Sequence, residues 1–173
     1  DIIKGIFDEY IEAGIYDQNT IVHIGADEFY DSHPAYRAFL KEMIDYIRNV
    51  KGRQVRVWGS LSQMSSGESS PFTAADVQGA QMNIWNTGWA NPQTMFNLGF
   101  KLINTIDGSL YMVPSGNGSV GGYGDYLDTQ GLYNNWQPEN MGGTRIPTGS
   151  SQMLGACYAV WQDNIDTRAA GIN

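Results

Sequence analysis

Apolar and polar residues follow two different periods along this chain, and the two periods alternate. Helical spacing of apolar residues predicts helices over 1–13, 34–50 and 92–98. Short runs rich in β-branched and aromatic residues predict strands at 20–25, 55–58, 80–85, 101–106 and 154–161. Because short strands alternate with helical segments, the pattern indicates a parallel α/β fold.

The residues at or just beyond the ends of the predicted strands share a chemical character. They are polar or aromatic: Asp27, Glu28, Trp58, Trp85, Tyr111, Trp161 and Asp163. In a (β/α)8 barrel the carboxyl ends of all strands meet on one face, where active sites lie. One Trp at a strand end is more often core, but three in the same relative position favour a pocket wall. Five strands are too few for a closed barrel, so we expect residues 1–173 to form one partial TIM-barrel domain.

The segment 20–30 carries the strongest functional signal. It begins as a β-branched strand, continues through a Gly-Ala pair that lets the backbone turn, and then presents Asp27 and Glu28. Carboxylates after a strand often cap the next helix, but Asp31 and Ser32 lie closer to that helix. Asp27 and Glu28 are thus left without a structural role, which favours a catalytic one.

Composition restricts the partners of the protein. The net charge of −8 argues against nucleic acid and anionic membranes as partners. No apolar run reaches the roughly 20 residues of a membrane-spanning helix. Only 16% of residues are charged, whereas the chain has 5 Trp and 10 Tyr. Such a composition suits a neutral polar ligand with apolar faces, for example a sugar.

Four further expectations concern single segments and residues. Residues 59–72 are rich in Ser and Gly and predict a loop, and 114–150 predict a long irregular loop of a functional kind. Cys157 lies in an apolar run and is expected to be a small buried side chain. His33, beside a proline, is expected in solvent.

The residues His-Ile-Gly-Ala-Asp-Glu at 23–28 resemble the His-x-Gly-x-Asp-Glu signature of family 20 glycoside hydrolases. These enzymes are β-N-acetylhexosaminidases and lacto-N-biosidases. Further residues resemble the family's aromatic and acidic positions at the ends of barrel strands five to eight, namely Trp58, Trp85, Tyr111, Trp161 and Asp163. Tyr126 is a rival for the tyrosine position. The resemblance implies that nearly the whole chain corresponds to barrel strands four to eight.

The resemblance also implies a retaining mechanism without a protein nucleophile, a recognised exception to the scheme with two catalytic carboxylates. The acetamido oxygen of the substrate attacks its own anomeric carbon and forms an oxazolinium ion. Glu28 would act as general acid and then as base, while Asp27 would hold and stabilise the acetamido N–H. Tyr111 would donate its O–H to the acetamido oxygen.

The remaining site residues would bind the sugar. The resemblance implies that Trp58, Trp85 and Trp161 enclose the acetamido methyl group and the sugar face, and that Asp163 accepts hydrogen bonds from hydroxyls. His23 would support the region of Asp27, although a core histidine is an equally open interpretation. Asp163 stands where many hexosaminidases have Glu, which weakly favours release of a disaccharide. No cofactor or metal is expected.

Two alternatives and several expectations remain open. A carbohydrate-binding module would use the tryptophans without needing an acid. A metal-dependent barrel hydrolase is less favoured because His residues at ligand spacing are missing.

Barrel strands one to three are expected to lie outside this chain, so its own activity is in question. Its open sheet edges predict self-association, and the parent protein is expected to be extracellular or at the cell surface.

Overall fold

A parallel sheet organises the computed structural model, which describes residues 2–29, 31–60, 72–113, 123–124 and 126–161. The strands of this part of the chain are β1 Ile21–His23, β2 Gln54–Trp58, β3 Gln81–Ile84, β4 Lys101–Asn104, β5 Tyr111–Met112, β6 Asn140–Met141, β7 Thr144–Arg145, β8 Met153–Ala156 and β9 Ala159–Val160. Five of them form a sheet in the order β1-β2-β3-β4-β8. Every neighbouring pair in it is parallel, which confirms the predicted parallel α/β fold.

Helices connect these strands. They are α1 Ile2–Glu12, α2 His33–Asp45, α3 Ala74–Val77, α4 Pro92–Leu98, α5 Asp107–Leu110 and α6 Thr129–Asn135, and a π-helical turn, Tyr46–Val50, continues α2. As expected for a helix cap, Ser32 Oγ accepts a hydrogen bond from the backbone N–H of Ala35, at 3.3 Å. His33 is partly buried rather than in solvent. Among the described residues, no helix has the length and apolarity needed to span a membrane.

The core lies between the sheet and α2. Its most deeply buried members come from both layers: Leu40, Met43, Ile44, Ile47, Val55, Val57, Met82, Ile84 and Leu102. Along β2 the burial alternates, because Val55 and Val57 point into this core while Gln54, Arg56 and Trp58 are less buried. The opposite face of β2 therefore carries polar and aromatic side chains, and its last residue is Trp58.

The predicted strand 154–161 is two short strands in the structure. β8 pairs with β4, whereas β9 pairs with β5. Cys157 lies between them and is exposed, so the expectation of a buried thiol was wrong. The physical reason is that β8 has β4 as its one sheet neighbour in the described part of the chain, and even its apolar residue Leu154 is 44% exposed.

The predicted irregular loop 114–150 is only partly irregular. It contains α6 and an antiparallel hairpin formed by β6 and β7. Met141 and Ile146 of this region are fully buried, and Asn104 Nδ2 donates to the carbonyl oxygens of Pro138 and Asn140, at 2.9 and 2.8 Å. The second half of the segment is therefore packed against the end of β4. Residues 114–122 and 125, and residues 61–71 of the other predicted loop, lie outside the described residues.

Gly59 occupies a tightly packed position directly after β2. A Cβ atom there would lie 2.8 Å from Ala90 Cβ and 3.2 Å from the carbonyl oxygen of Asn83. We expect Gly59→Ala to lower the free energy of unfolding by about 1–3 kcal/mol through overpacking, measured by urea denaturation. Gly5→Ala is the matched control, because a Cβ there meets no atom within 4 Å. Equal unfolding free energies for the two variants would contradict the expectation.

Candidate functional site

The turn after β1 has an unusual backbone. Gly25, Ala26 and Glu28 have φ angles of 71°, 72° and 51°, in the left-handed region that side chains other than glycine rarely adopt. Asp27 lies between the last two of these residues. The backbone N–H of Trp58 donates to the carbonyl oxygen of Gly25 at 2.9 Å, so the end of β2 holds the start of the turn.

Two buried hydroxyl groups fix the rest of this turn. The Tyr36 hydroxyl of α2 donates to the carbonyl oxygen of Ala26 at 2.8 Å. Ser60 Oγ accepts from the backbone N–H of Glu28 at 2.8 Å, and Ser60 is fully buried. Burial raises the pKa of Tyr36, so its hydroxyl remains a protonated donor. The turn is thus positioned by groups from two separate elements.

A pocket of about 350 Å³ opens beside this turn. Its walls are formed by Asp27, Glu28, Trp58, Trp85, Tyr111, Val113, Tyr123 and Trp161. Asp27 and Glu28 are both exposed, so their carboxyl groups face solvent or a ligand. The structure therefore brings together six of the eight residues predicted from the sequence. Asp163 lies outside the described residues, and His23 is close by but not in the wall.

Aromatic rings form one continuous side of this pocket. The ring centroids of Trp58 and Trp161 are 6.0 Å apart, and Trp161 meets Tyr111 edge-on at 5.7 Å with a 66° interplanar angle. Tyr111 in turn lies 5.6 Å from Tyr123. In the described part of the chain, no group of three His, Cys, Asp or Glu side chains is placed to hold a metal ion. The pocket is thus lined by two carboxyl groups together with an aromatic wall.

His23, the last residue of β1, supports the turn that follows it. Its Nδ1 accepts a hydrogen bond from the backbone N–H of Gly25 at 3.0 Å, and its ring lies 5.3 Å from that of Trp58. Partial burial lowers the pKa of His23, and the nearby Arg56 guanidinium lowers it further. A lowered pKa keeps Nδ1 unprotonated, which this hydrogen bond requires. The ring is partly exposed rather than a core side chain.

Tyr111 is the half-buried tyrosine of the pocket. Burial raises the pKa of its phenol, and the negative charges of Asp107 and Asp27 act in the same direction. Its hydroxyl is therefore a protonated group that a ligand can use as a donor. The rival Tyr126 is 78% exposed and does not line this pocket.

Four residues in or beside the site had no signal in the sequence. Tyr123 lines the pocket, and its hydroxyl donates to Asp107 Oδ2 at 3.1 Å. Asn86 Nδ2 donates to the same oxygen at 3.0 Å, so Asp107 links Tyr123 to the segment after β3. Ser60 and Tyr123 each lie next to stretches without periodicity, so only three-dimensional proximity reveals them.

The fold of this chain, rather than its sequence, resembles that of a known protein. No protein-family model matches the sequence, and no curated protein matches it either. The solved structure of Dispersin B, a β-hexosaminidase of glycoside hydrolase family 20, is similar, with a TM-score of 0.62 and a sequence identity of 16%. The chain has the fold of part of the Dispersin B barrel. The match covers 95% of this chain and 52% of the Dispersin B chain, so these residues span about half of that protein.

The comparison confirms the expectation of a partial TIM barrel. At this level of identity it concerns the fold alone.

Proposed function

We propose that this chain belongs to a retaining glycoside hydrolase that cleaves β-linked N-acetylhexosamine glycans by substrate-assisted catalysis. The observation that carries the proposal is the placement of Asp27 and Glu28 together, on a fixed turn at a strand end, beside a pocket walled by aromatic rings. Aromatic walls bind the apolar faces of sugars, and paired carboxylates supply the proton transfer and charge stabilisation that glycoside cleavage needs.

Glu28 is the general acid and base in this proposal. Its backbone is held by the hydrogen bond to Ser60, while its side chain is exposed at the pocket. The protonated carboxyl group gives its proton to the glycosidic oxygen as the bond to the anomeric carbon breaks. The resulting carboxylate then takes a proton from the water that attacks the same carbon.

Asp27 and Tyr111 act on the acetamido group. The acetamido oxygen forms a bond to the anomeric carbon, and the developing positive charge on the amide is stabilised by the carboxylate of Asp27. Tyr111 directs that oxygen by donating its O–H. Tyr123 also lines the pocket, but its hydroxyl donates to Asp107, so among the described tyrosines of the pocket Tyr111 is the better candidate for the phenol donor.

The tryptophans set the size and character of the pocket. Its volume of about 350 Å³ is near the lower end of the range for small-molecule sites, which suits a single sugar unit. Trp58, Trp85 and Trp161 supply apolar surface for the sugar face and the acetamido methyl group. Asp163 would accept hydrogen bonds from sugar hydroxyls, as the family resemblance implies.

The test is an assay of a β-linked N-acetylhexosaminide, with and without a thiazoline mimic of the oxazolinium ion. It is made on the 173-residue chain and on any longer form of the protein, because the fold match spans only half of Dispersin B. We expect turnover that the thiazoline blocks, since the mimic resembles the bound intermediate and should bind more tightly than substrate. Turnover that is insensitive to the thiazoline would contradict the substrate-assisted mechanism.

The second candidate is a carbohydrate-binding domain, and the aromatic wall from Trp58 to Tyr123 favours it. Such a domain would bind the same sugars without turning them over. Retained sugar binding with no turnover in any form of the protein would support this alternative. The same experiment therefore separates the two functions.

A further inference from the structure

A second cavity, the basic cleft, lies at the opposite end of β2 from the candidate catalytic pocket. Gln54 begins β2 and lines the cleft, whereas Trp58 ends β2 and lines the pocket. At about 3.3 Å per residue, the two positions are roughly 13 Å apart. The cleft has a volume of about 390 Å³, within the range of small-molecule sites. Its described lining is Gln18, Arg48, Gly52, Arg53, Gln54, Val55, Gln78 and Gly79.

Both arginines of the cleft are held in place by neutral oxygen atoms. Arg48 donates to the carbonyl oxygens of Gln78 and Ala75, at 2.9 and 3.0 Å, and so is fixed to the end of α3. Arg53 donates through one nitrogen to Gln18 Oε1 at 2.7 Å and to the carbonyl oxygen of Lys51 at 3.0 Å. The two guanidinium groups are therefore positioned before any ligand arrives.

These contacts leave donors of both guanidinium groups unused. A guanidinium has five N–H groups, and the contacts of Arg53 involve only its Nη1. Arg53 Nε is buried and has no acceptor among the described residues. A buried donor without a partner costs free energy that an arriving acceptor would recover.

The charges of the two arginines are also not neutralised within the described part of the chain. Lys4, Lys41 and Lys51 each form an ion pair there, but Arg48 and Arg53 form none. Asp17 is close enough for Arg53 to lower its pKa, yet the Thr20 hydroxyl lowers that pKa most.

The Asp17 carboxylate is occupied by its own turn. Its Oδ1 accepts from the Thr20 hydroxyl at 2.9 Å and from the backbone N–H groups of Asn19 and Thr20, both at 2.8 Å. No Asp or Glu is among the described residues that line the cleft. The cleft is therefore a local positive region in a chain whose net charge is −8.

The other polar side chains of the cleft are amides that can donate. Gln18 Oε1 accepts from Arg53, and Gln54 Oε1 accepts from Gln81 Nε2 at 2.9 Å, which leaves the Nε2 groups of Gln18 and Gln54 as donors. Gln78 is exposed and adds a third amide. A cavity rich in donors, with two fixed guanidinium groups and no carboxylate among its described residues, favours an anion with several acceptor oxygens.

We propose that the basic cleft binds a phosphate or sulfate group, either as the free ion or as part of a small ester. Arg48 and Arg53 bind its oxygens, and the amides of Gln54 and Gln78 complete the site. The negative charges elsewhere on the chain oppose this little, because charges beyond about 8 Å are largely screened at physiological salt. The site is independent of the proposed glycosidase function.

Binding should stabilise the fold, because the cleft joins three separate segments. Gln18 precedes β1, Arg53 precedes β2, and Gln78 follows α3. A ligand that binds the folded state alone raises Tm as its concentration rises. We therefore expect phosphate and sulfate to raise Tm above its value in chloride at the same ionic strength, measured by differential scanning calorimetry.

Variants of the lining test the site directly. Arg53→Gln should weaken phosphate binding by about 10- to 100-fold in isothermal titration calorimetry, the loss expected for a hydrogen bond to a charged group. Gln54→Glu places a carboxylate in the cleft and should remove the rise in Tm. Gln54 is exposed, and glutamate has nearly the same shape and can still accept from Gln81, so this variant should fold even where Arg53→Gln does not.

Two control variants carry the same charge changes outside the cleft. Arg145→Gln matches Arg53→Gln, because Arg145 is exposed on β7 and its printed partners, Gln137, Asn140 and Thr148, are neutral. Gln130→Glu matches Gln54→Glu, because Gln130 is exposed on α6. Neither control residue lines the cleft, so both variants should bind phosphate as the unchanged protein does.

Comparison of inorganic phosphate with glycerol 3-phosphate identifies the source of the group. Tighter binding of glycerol 3-phosphate indicates an ester, whereas tighter binding of inorganic phosphate indicates the free ion, and either result supports the site. Equal Tm values in phosphate, sulfate and chloride would overturn the proposal. Phosphate affinity that Gln54→Glu leaves unchanged would overturn it as well, whatever the result of the glycosidase assay.

Discussion

Glu28→Gln should lower kcat on an N-acetylhexosamine glycan by about 10²- to 10⁴-fold, the usual contribution of a general acid and base. Affinity for the sugar should change little, because the amide has nearly the same shape and still faces the pocket. Steady-state kinetics and calorimetry with the product sugar would measure the two quantities. The left-handed backbone at this position is already adopted by a residue of the same size, so the variant should fold.

Glu12→Gln is a matched control for Glu28→Gln, because Glu12 is exposed at the end of α1 and lies in neither cavity. The leaving group offers a second check. An aryl glycoside with an acidic phenol needs little protonation, so the glycosylation step should be less impaired with it than with a sugar leaving group. Equal loss of turnover and binding, or no loss of turnover, would contradict the role of Glu28.

Asp27→Asn should lower kcat by about 10²- to 10³-fold, as expected when one preorganised stabilising group is removed. The amide is uncharged and does not stabilise positive charge on the closing oxazolinium ring. Affinity for the thiazoline should therefore fall in the Asp27 variant by more than affinity for the product sugar. Inhibition constants for the thiazoline, measured beside product dissociation constants, provide this comparison.

Asp31→Asn serves as the control for Asp27→Asn, since Asp31 is exposed four residues later and lines neither cavity. A thiazoline affinity unchanged by Asp27→Asn would show that the carboxylate does not contact the acetamido group. Without that contact, nothing would distinguish the proposed substrate-assisted mechanism from the usual glycosidase mechanism with two catalytic carboxylates.

The sheet could be predicted from the sequence because its strands are short, apolar and separated by helical segments. Val55 and Val57 alternate with polar residues, and the structure buries these two against the helices while leaving their neighbours less buried. The start of α2 could be predicted for the same kind of local reason, since Ser32 precedes a proline in the first turn. Asp27 and Glu28 could be singled out because they directly follow a strand and neither is needed to cap the next helix.

The features that could not be predicted depend on contacts distant in sequence. The apolar run around Cys157 has the composition of a buried strand, but its exposure depends on β8 pairing with β4 alone among the strands that the structure describes. Tyr123 lies in a stretch dominated by Gly and Ser, and Asp107 at 16 residues' separation holds it at the pocket. Hydrophobic periodicity along the sequence does not indicate the pairing of β8 or the position of Tyr123.

The left-handed backbone at Ala26 and Glu28 has a consequence for engineering heat resistance. Side chains forced into this region cost on the order of 1–3 kcal/mol each, a noticeable part of the roughly 5–15 kcal/mol that keeps a domain folded. Glycine would adopt the same φ angles with less strain, but at position 28 it would also remove the carboxyl group. Under the proposed function, stabilisation and turnover therefore conflict at position 28 and not at position 26. A search for variants with higher thermal stability should therefore substitute Ala26 and leave Asp27 and Glu28 unchanged.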